Sequence, residues 1–389
     1  MNLEAMQQAL AAEGLDGWLF FDHHVRDPLA YRVLGLDSGR TVTRRWYYFI
    51  PSAGEPRGLV HNIEPGVLDA LPGEKTKYSS WPAQVEGLRK LLAGARRIAM
   101  QYSPECAIPY LSMVDAGTIE LVRRTGVEIC SSADLVQQFE ARWTAANLAR
   151  HLEAARLVDE IREDSFQFVG DKLRIGERIT EFAVQQYVRG RFDAAGLETD
   201  HGPIVAVNEN ASDPHYEPEE SHSREIRRGD WLLLDMWAKR RTPDAVYYDI
   251  TWTGYCGEQP PAEMENIFSV VKEARDRAVR FVEEGVRAGR TLRGFEVDDA
   301  AREVIRAAGF AEHFFHRTGH SIGSEVHGTG ANMDNLETHD ERRIIPWTCF
   351  SVEPGIYLPK FGVRSEVDVF VGDGEARVTG ERQERIVLI

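Results

Sequence analysis

The chain of 389 residues is 43% hydrophobic and 28% charged, an ordinary globular composition that excludes disorder and leaves apolar material for two or three domains. Its 46 basic and 62 acidic residues give a net charge of −16, and the densest basic strings, Lys239-Arg240-Arg241 and Arg342-Arg343, are short, which argues against a nucleic-acid partner. No run approaches the roughly 18 apolar residues of a membrane span, the start lacks signal-peptide character, and the four cysteines have no CxxC spacing, so a cytoplasmic protein with reduced thiols and no membrane partner is expected.

In chain order, residues 3–12 have amphipathic helical spacing, 17–21 and 46–50 read as buried strands, 85–93 as a helix, and 97–100 as a strand before a Ser-Pro turn. This alternation predicts an α/β domain over residues 1–145. From residue 146 to 389 a second domain opens with helices at 147–169 and 180–195. A strand at 203–207 and a polar loop through His215 come next. Two strands at 231–237 and 246–252 carry Asp235 and Asp249, and helices are expected at 262–284 and 297–308. Strands at 349–353 and 363–370 then carry Glu353 and Glu366.

Four carboxylates on or beside predicted strands, together with His320 in Arg317-Thr318-Gly319-His320-Ser321, form a donor set for a pair of borderline-hard divalent ions. A rigid sheet is a sound platform for such a site. Taken singly, an aspartate at a strand end is more often a turn or cap residue, and the reading rests on all five together. Asp22, His23, His24, His201, His222, His313 and His316 lack a matching spacing and are assigned surface or packing roles. Asp298-Asp299 and Glu283-Glu284 are read as solvated helix faces, and Tyr47, Tyr48, Trp231 and Trp237 as core.

Thr318-Gly319-His320, Val352-Glu353-Pro354-Gly355-Ile356-Tyr357 and Gly362-Val363-Arg364-Ser365-Glu366 resemble the motifs of the pita-bread metallopeptidases. This is the family of methionine aminopeptidase, aminopeptidase P and Xaa-Pro dipeptidase (prolidase). The resemblance implies a C-terminal pita-bread catalytic domain behind a smaller creatinase-like α/β domain, and a homodimer. It implies that Asp235 binds one metal, that Asp249 and Glu366 bridge two, and that His320 and Glu353 complete the second. A hydroxide bridging two ions, manganese first with cobalt or zinc as alternatives, would attack the bond before proline in an Xaa-Pro dipeptide. Glu353 would shuttle its proton, His215 and His327 would donate to the substrate, and Tyr357 and Arg364 would orient Glu366 and the substrate. Alternatives on the same fold are an aminopeptidase P acting on longer peptides and a non-peptidase lyase or hydrolase.

Three features depart from that pattern. Asp235 and Asp249 are fourteen residues apart (249 minus 235), more than prolidase-like sequences usually show, which points to a longer turn at Thr242-Pro243-Asp244. Asp244 is a rival ligand, but Pro-Asp is ordinary turn chemistry, and only Asp249 has the Asp-x-Thr context. Trp252 stands where the family has arginine, a change expected to loosen support around the metals or to reshape the pocket. At the place of the arginine that receives the substrate carboxylate stands His339, with Arg342, Arg343 or Arg364 as candidate substitutes.

Overall fold

Burial on both faces explains why the first strands are unbroken apolar runs. In the computed structural model, which describes residues 1–389, the strand Gly17–Asp22 sends Trp18 and Phe20 into one core and Leu19 and Phe21 into another. It pairs antiparallel with Trp46–Pro51, which pairs antiparallel with Arg57–His61. Glu74–Tyr78, Arg97–Met100 and Glu128–Ser131 extend the sheet by parallel pairing, so every strand but Trp46–Pro51 runs the same way. Helices Leu3–Ala12, Pro28–Leu34, Trp81–Leu91 and Ala116–Arg123 accompany this sheet, each capped by a side chain (Asn2, Asp27, Ser80, Asp115) that accepts an N–H from the first turn. The helix expected at 85–93 begins at Trp81 because Ser80 caps it and Pro82 suits its first turn. These elements make up one unit, Met1–Glu140; the second is Ala141–Ile389.

The second unit opens with the helix Ala145–Arg174, closed at its start by a reciprocal pair of bonds between Thr144 and Asn147. Trp231–Arg240 and Tyr248–Tyr255 form its central antiparallel ladder, with Asp235 opposite Thr251 and Trp237 opposite Asp249. Residues directly opposite each other share a face, so these four side chains project together. On that side Trp231 and Leu233 enter a core with the helices Ala262–Arg287 and Gly294–Ala307. On the other side Leu232, Leu234 and Met236 pack with Ala145–Arg174 and Glu181–Ala194.

A second sheet centres on Thr348–Val352, flanked by Ser321–Ile322 and Val367–Val371, and contributes Val352, Val367 and Val369 to the core that holds Leu233. Residues 363–370, expected as one strand, are two: Phe361–Arg364, which forms a hairpin with Gly355–Leu358, and Val367–Val371. The break falls at Ser365-Glu366, and the Glu366 N–H donates to the Thr251 carbonyl at 3.1 Å. That bond turns Glu366 off its own strands and ties it to the aspartate ladder. No helix is long and apolar enough to cross a membrane, and all four cysteines are free thiols.

Candidate metal centre

His320 shows how local bonding prepares a ligand. Its Nδ1 lies 3.2 Å from the Ser321 carbonyl oxygen, and its backbone N–H donates to Ser351 Oγ at 3.0 Å. A proton on Nδ1 directed at that carbonyl leaves a lone pair on Nε2, which faces Glu353 Oε1 at 3.4 Å and Asp249 Oδ2 at 3.6 Å. Burial, followed by the charge of His327, holds the imidazole well below its ordinary pKa, so it is neutral. A neutral imidazole turned toward two carboxylates is the form that binds a cation.

Asp249, His320 and Glu366 each present a ligand atom within 4.8 Å of the other two, a spacing that one divalent cation can draw together. Asp249 Oδ1 is buried without a hydrogen-bond partner, an expensive state for a carboxylate unless a cation meets it. Burial and then the charge of Asp235 push the Asp249 carboxyl well above its usual range. Burial and then the charge of Asp249 do the same to Glu366. Glu353 is raised to about 7 by burial, against the pull of Arg364. Without cations these acids are both desolvated and mutually repelling, and divalent ions answer both penalties. The donors present therefore fit a divalent metal group.

Arg364 organises the other flank. Its NH1 donates to the Tyr357 hydroxyl at 3.0 Å, its Nε donates to Thr251 Oγ1 at 3.1 Å, and its NH2 bonds Asp235 Oδ2. Thr251 Oγ1 donates in turn to Glu366 Oε2 at 2.7 Å. Arg364 thus holds Asp235 directly and reaches Glu366 only through a threonine hydroxyl, whereas the sequence pattern led us to expect it on Glu366. Tyr357 does not touch Glu366 either: it lies 2.7 Å from His316 Nε2, while His316 Nδ1 faces the Arg317 carbonyl at 2.7 Å. With Nδ1 donating to that carbonyl, His316 Nε2 accepts the tyrosine proton.

Sequence reasoning missed His316, Ser351 and Asp298. Ser351 Oγ donates to Glu353 Oε1 at 3.1 Å, and its position two residues before Glu353 on one strand was the available signal. Asp298, expected on a solvated face, is fully buried and accepts the Thr318 N–H at 2.9 Å and Arg302 Nε at 2.6 Å. It lies seven residues before buried Ile305, two helical turns along one face, which is the periodicity that betrays it.

The remaining expected residues divide between the site and its surroundings. His327 packs edge-on against His320, with ring centroids 4.4 Å apart, and partial burial reinforced by Arg317 lowers its pKa to about 4. His215 sits on the exposed loop after Asn208–Ser212, with its backbone N–H bonded to Asp213. No hydrogen bond ties its ring to the carboxylates. Asp244 is exposed in the long turn, where its carbonyl accepts from Asn147, so it is no rival to Asp249. Trp237, expected in the core, is half-buried on the face of the aspartates and donates to Asp200 at 2.7 Å. Arg342 is spent internally on Asp340 and the Thr329 carbonyl, and His339 bonds Asn335.

Trp252 corrects an expectation. It projects from the opposite face of the ladder from Asp249 and Thr251, and the Arg162 guanidinium stacks over its ring at 3.7 Å. Its loss touches the core beneath the site rather than the site itself. Replacing Trp252 by leucine is expected to cost about 1–2 kcal/mol of stability from the lost cation–π contact while leaving kcat within about twofold. A melting curve with a parallel peptide assay checks this, and an activity loss at unchanged stability would return Trp252 to the site.

Gly319 admits no side chain, because a Cβ there would overlap the Ser351 carbonyl oxygen. The backbone bonds Ser351 N–H to His320 O and Glu353 N–H to Thr318 O clamp the two segments at that point. Alanine at Gly319 should cost about 1–3 kcal/mol through overpacking and pull His320 away from Glu353. Manganese titration of the variant should show at least about tenfold weaker binding, as expected when ligand orientation is lost.

Comparison with known proteins agrees with this geometry. The profile of metallopeptidase family M24 matches residues 149–373. The Xaa-Pro dipeptidase of Lactobacillus delbrueckii subsp. lactis is 30% identical over 237 residues, 60% of this chain and 59% of that protein; the match thus spans less than two thirds of the relative's length. The solved dipeptidase PepE from Mycobacterium ulcerans superposes with a TM-score of 0.70 at 23% identity, covering 100% of this chain and 96% of that one. A dipeptidase from Pyrococcus horikoshii OT3 superposes with a TM-score of 0.64 at 25% identity and full coverage of both chains. With the family profile matched across the whole carboxylate-bearing ladder and the pita-bread architecture shared with these structures, the chain belongs to metallopeptidase family M24.

Proposed function

We propose that this protein is an Xaa-Pro dipeptidase that hydrolyses the bond before a C-terminal proline, using two divalent cations held by Asp235, Asp249, His320, Glu353 and Glu366. The observation that carries the reading is the buried convergence of Asp249, His320 and Glu366, with Asp249 Oδ1 left without a partner. Manganese is the first candidate, and cobalt or zinc would suit the same donors. When bound, such ions polarise the scissile carbonyl and acidify water near neutral pH.

The chain's own residues do the rest. Glu353, steadied by the Ser351 hydroxyl and 3.9 Å from Arg364 Nε, is positioned to take a proton and return it to the leaving nitrogen. His327, held neutral beside His320, and His215 on its exposed loop are the donors we assign to the substrate. Tyr357, fixed between His316 and Arg364, holds the wall on the Asp235 side. Arg317, whose charge acts on Glu353, His320 and His327, is the cation we assign to the substrate's free carboxylate. We further infer a homodimer, on the family resemblance, and a cytoplasmic location.

One observation favours aminopeptidase P as a second reading: Arg342 and Arg364, two candidate carboxylate receptors, are already bonded internally. Proline release from Xaa-Pro dipeptides and Xaa-Pro-Xaa tripeptides, using chelated protein reloaded with manganese, cobalt or zinc, decides the matter. Dipeptide cleavage supports the first reading and tripeptide cleavage alone the second. Inactivity on both with metal bound would leave the lyase or non-peptide hydrolase alternatives.

A further inference from the structure

The first unit has a cleft of about 700 Å³ that the peptidase reading leaves unused, within the size range of small-molecule sites. It opens where the strands Gly17–Asp22, Arg57–His61 and Glu74–Tyr78 end, lined there by Phe21, His61 and Tyr78. These strands run in one direction, so this is the carboxyl edge of the sheet. The chain steps from Gly17–Asp22 to one neighbour through Trp46–Pro51 and later fills the other side with Arg97–Met100, which makes a topological switch point in the sheet. Open α/β sheets bind ligands at that edge.

The cleft's charge is opposite to that of the whole chain. Arg26, Arg45 and Arg124 line it, and none has a carboxylate within salt-bridge distance. Arg44 also lines it; its side chain bonds only Thr43 beside it, and its backbone N–H donates to Glu64. The one lining acid, Asp115, is spent on capping its helix: it accepts from the Thr118 N–H at 2.9 Å and from the Thr118 hydroxyl at 2.8 Å. His23 is held below its ordinary pKa by burial and then by His24, Arg26 and Arg45, in keeping with the excess of positive charge. The N-termini of the helices Trp81–Leu91 and Ala116–Arg123 also face the cleft and add positive potential. At the rim Trp81 is 75% exposed, a flat aromatic surface with nothing over it.

From the unpaired arginines, the strand-end position and the exposed Trp81, we propose that this cleft binds a small phosphate-bearing ligand with a planar ring, of the nucleoside phosphate class. The phosphates lie against Arg45 and Arg124, and the ring stacks on Trp81. Guanidinium groups suit phosphate oxygens in bidentate pairs.

Titration calorimetry of the full chain with ADP, pyrophosphate and adenosine, at low and at physiological salt, tests the assignment. ADP should bind with marked salt sensitivity, and Arg45→Gln and Arg124→Gln should each weaken it at least about tenfold, the loss of one charge-assisted bond. Trp81→Ala should weaken ADP but leave pyrophosphate unchanged, and adenosine should bind far more weakly than ADP. All three side chains are exposed, so melting curves should show the variants folded. Adenosine binding as tightly as ADP, ADP binding unaffected by either arginine substitution, or no ADP binding to folded protein at low salt would each overturn the proposal. So would dissociation of an oligomer by Arg45→Gln without ADP binding, which would make the cleft a contact with a second copy.

Discussion

Replacing Glu353 by glutamine is expected to lower kcat for metal-dependent peptide cleavage by about 10²–10⁴-fold, the range for removing a positioned acid–base group. The amide keeps the size of the side chain and can still accept from Ser351 Oγ, so His320 and the strand Thr348–Val352 keep their places. The variant's stability separates this reading from a structural one. Glu353 is crowded by burial and by the charge of Asp235, and in turn raises the carboxyls of Asp249 and Glu366. Removing a negative charge from that cluster should leave the metal-free protein at least as stable as the parent. Single-turnover kinetics with saturating manganese, read beside melting curves of the metal-free forms, gives both quantities. Catalysis within about tenfold of the parent would remove Glu353 from the proton-transfer role.

The elements that hold the site were legible where one physical signal dominated. Trp231–Arg240 opens on a buried apolar run, Tyr248–Tyr255 is rich in β-branched and aromatic residues, and the turn between them carries Pro243-Asp244, so ladder and turn follow from local chemistry. The corner at Ser365-Glu366 was not legible, because Val363, Val367 and Val369 alternate with polar Arg364, Glu366 and Asp368 across the run 363–370, the period-two pattern of one unbroken strand. What breaks it is a tertiary bond from Glu366 N–H to Thr251, more than a hundred residues away. Trp252 was misjudged for a related reason. A one-residue step along a strand moves a side chain to the other face, and position in a motif does not say what the far face packs against. Here that face carries Arg162, which only the fold brings to it. Arg342 shows the same limit: its charge was evident, but its commitment to Asp340 was not.

Chelation should destabilise the protein by an amount that grows with pH. Burial raises Asp249 and Glu366 well above their ordinary values and Glu353 to about 7, in a protein without cations. In the unfolded chain the same groups titrate near 4. A carboxyl whose folded pKa is raised binds its proton more tightly when folded. Its contribution is therefore fully present below the unfolded pKa and is lost as pH rises through the folded one. For Glu353, which keeps a little solvent access, the change between acid and neutral pH is on the order of 3 kcal/mol. The metal-free melting temperature should thus fall from pH 5 to pH 8. Bound divalent cations favour the ionised carboxylates and the neutral His320, so metal affinity rises over the same interval as protons cease to compete. The two trends have opposite signs, and the gap between manganese-loaded and chelated melting temperatures should widen steadily with pH. Melts at pH 5, 6.5 and 8, with metal content verified, measure that gap. A gap that stays constant or narrows would mean that the buried carboxylates are not what the metal stabilises.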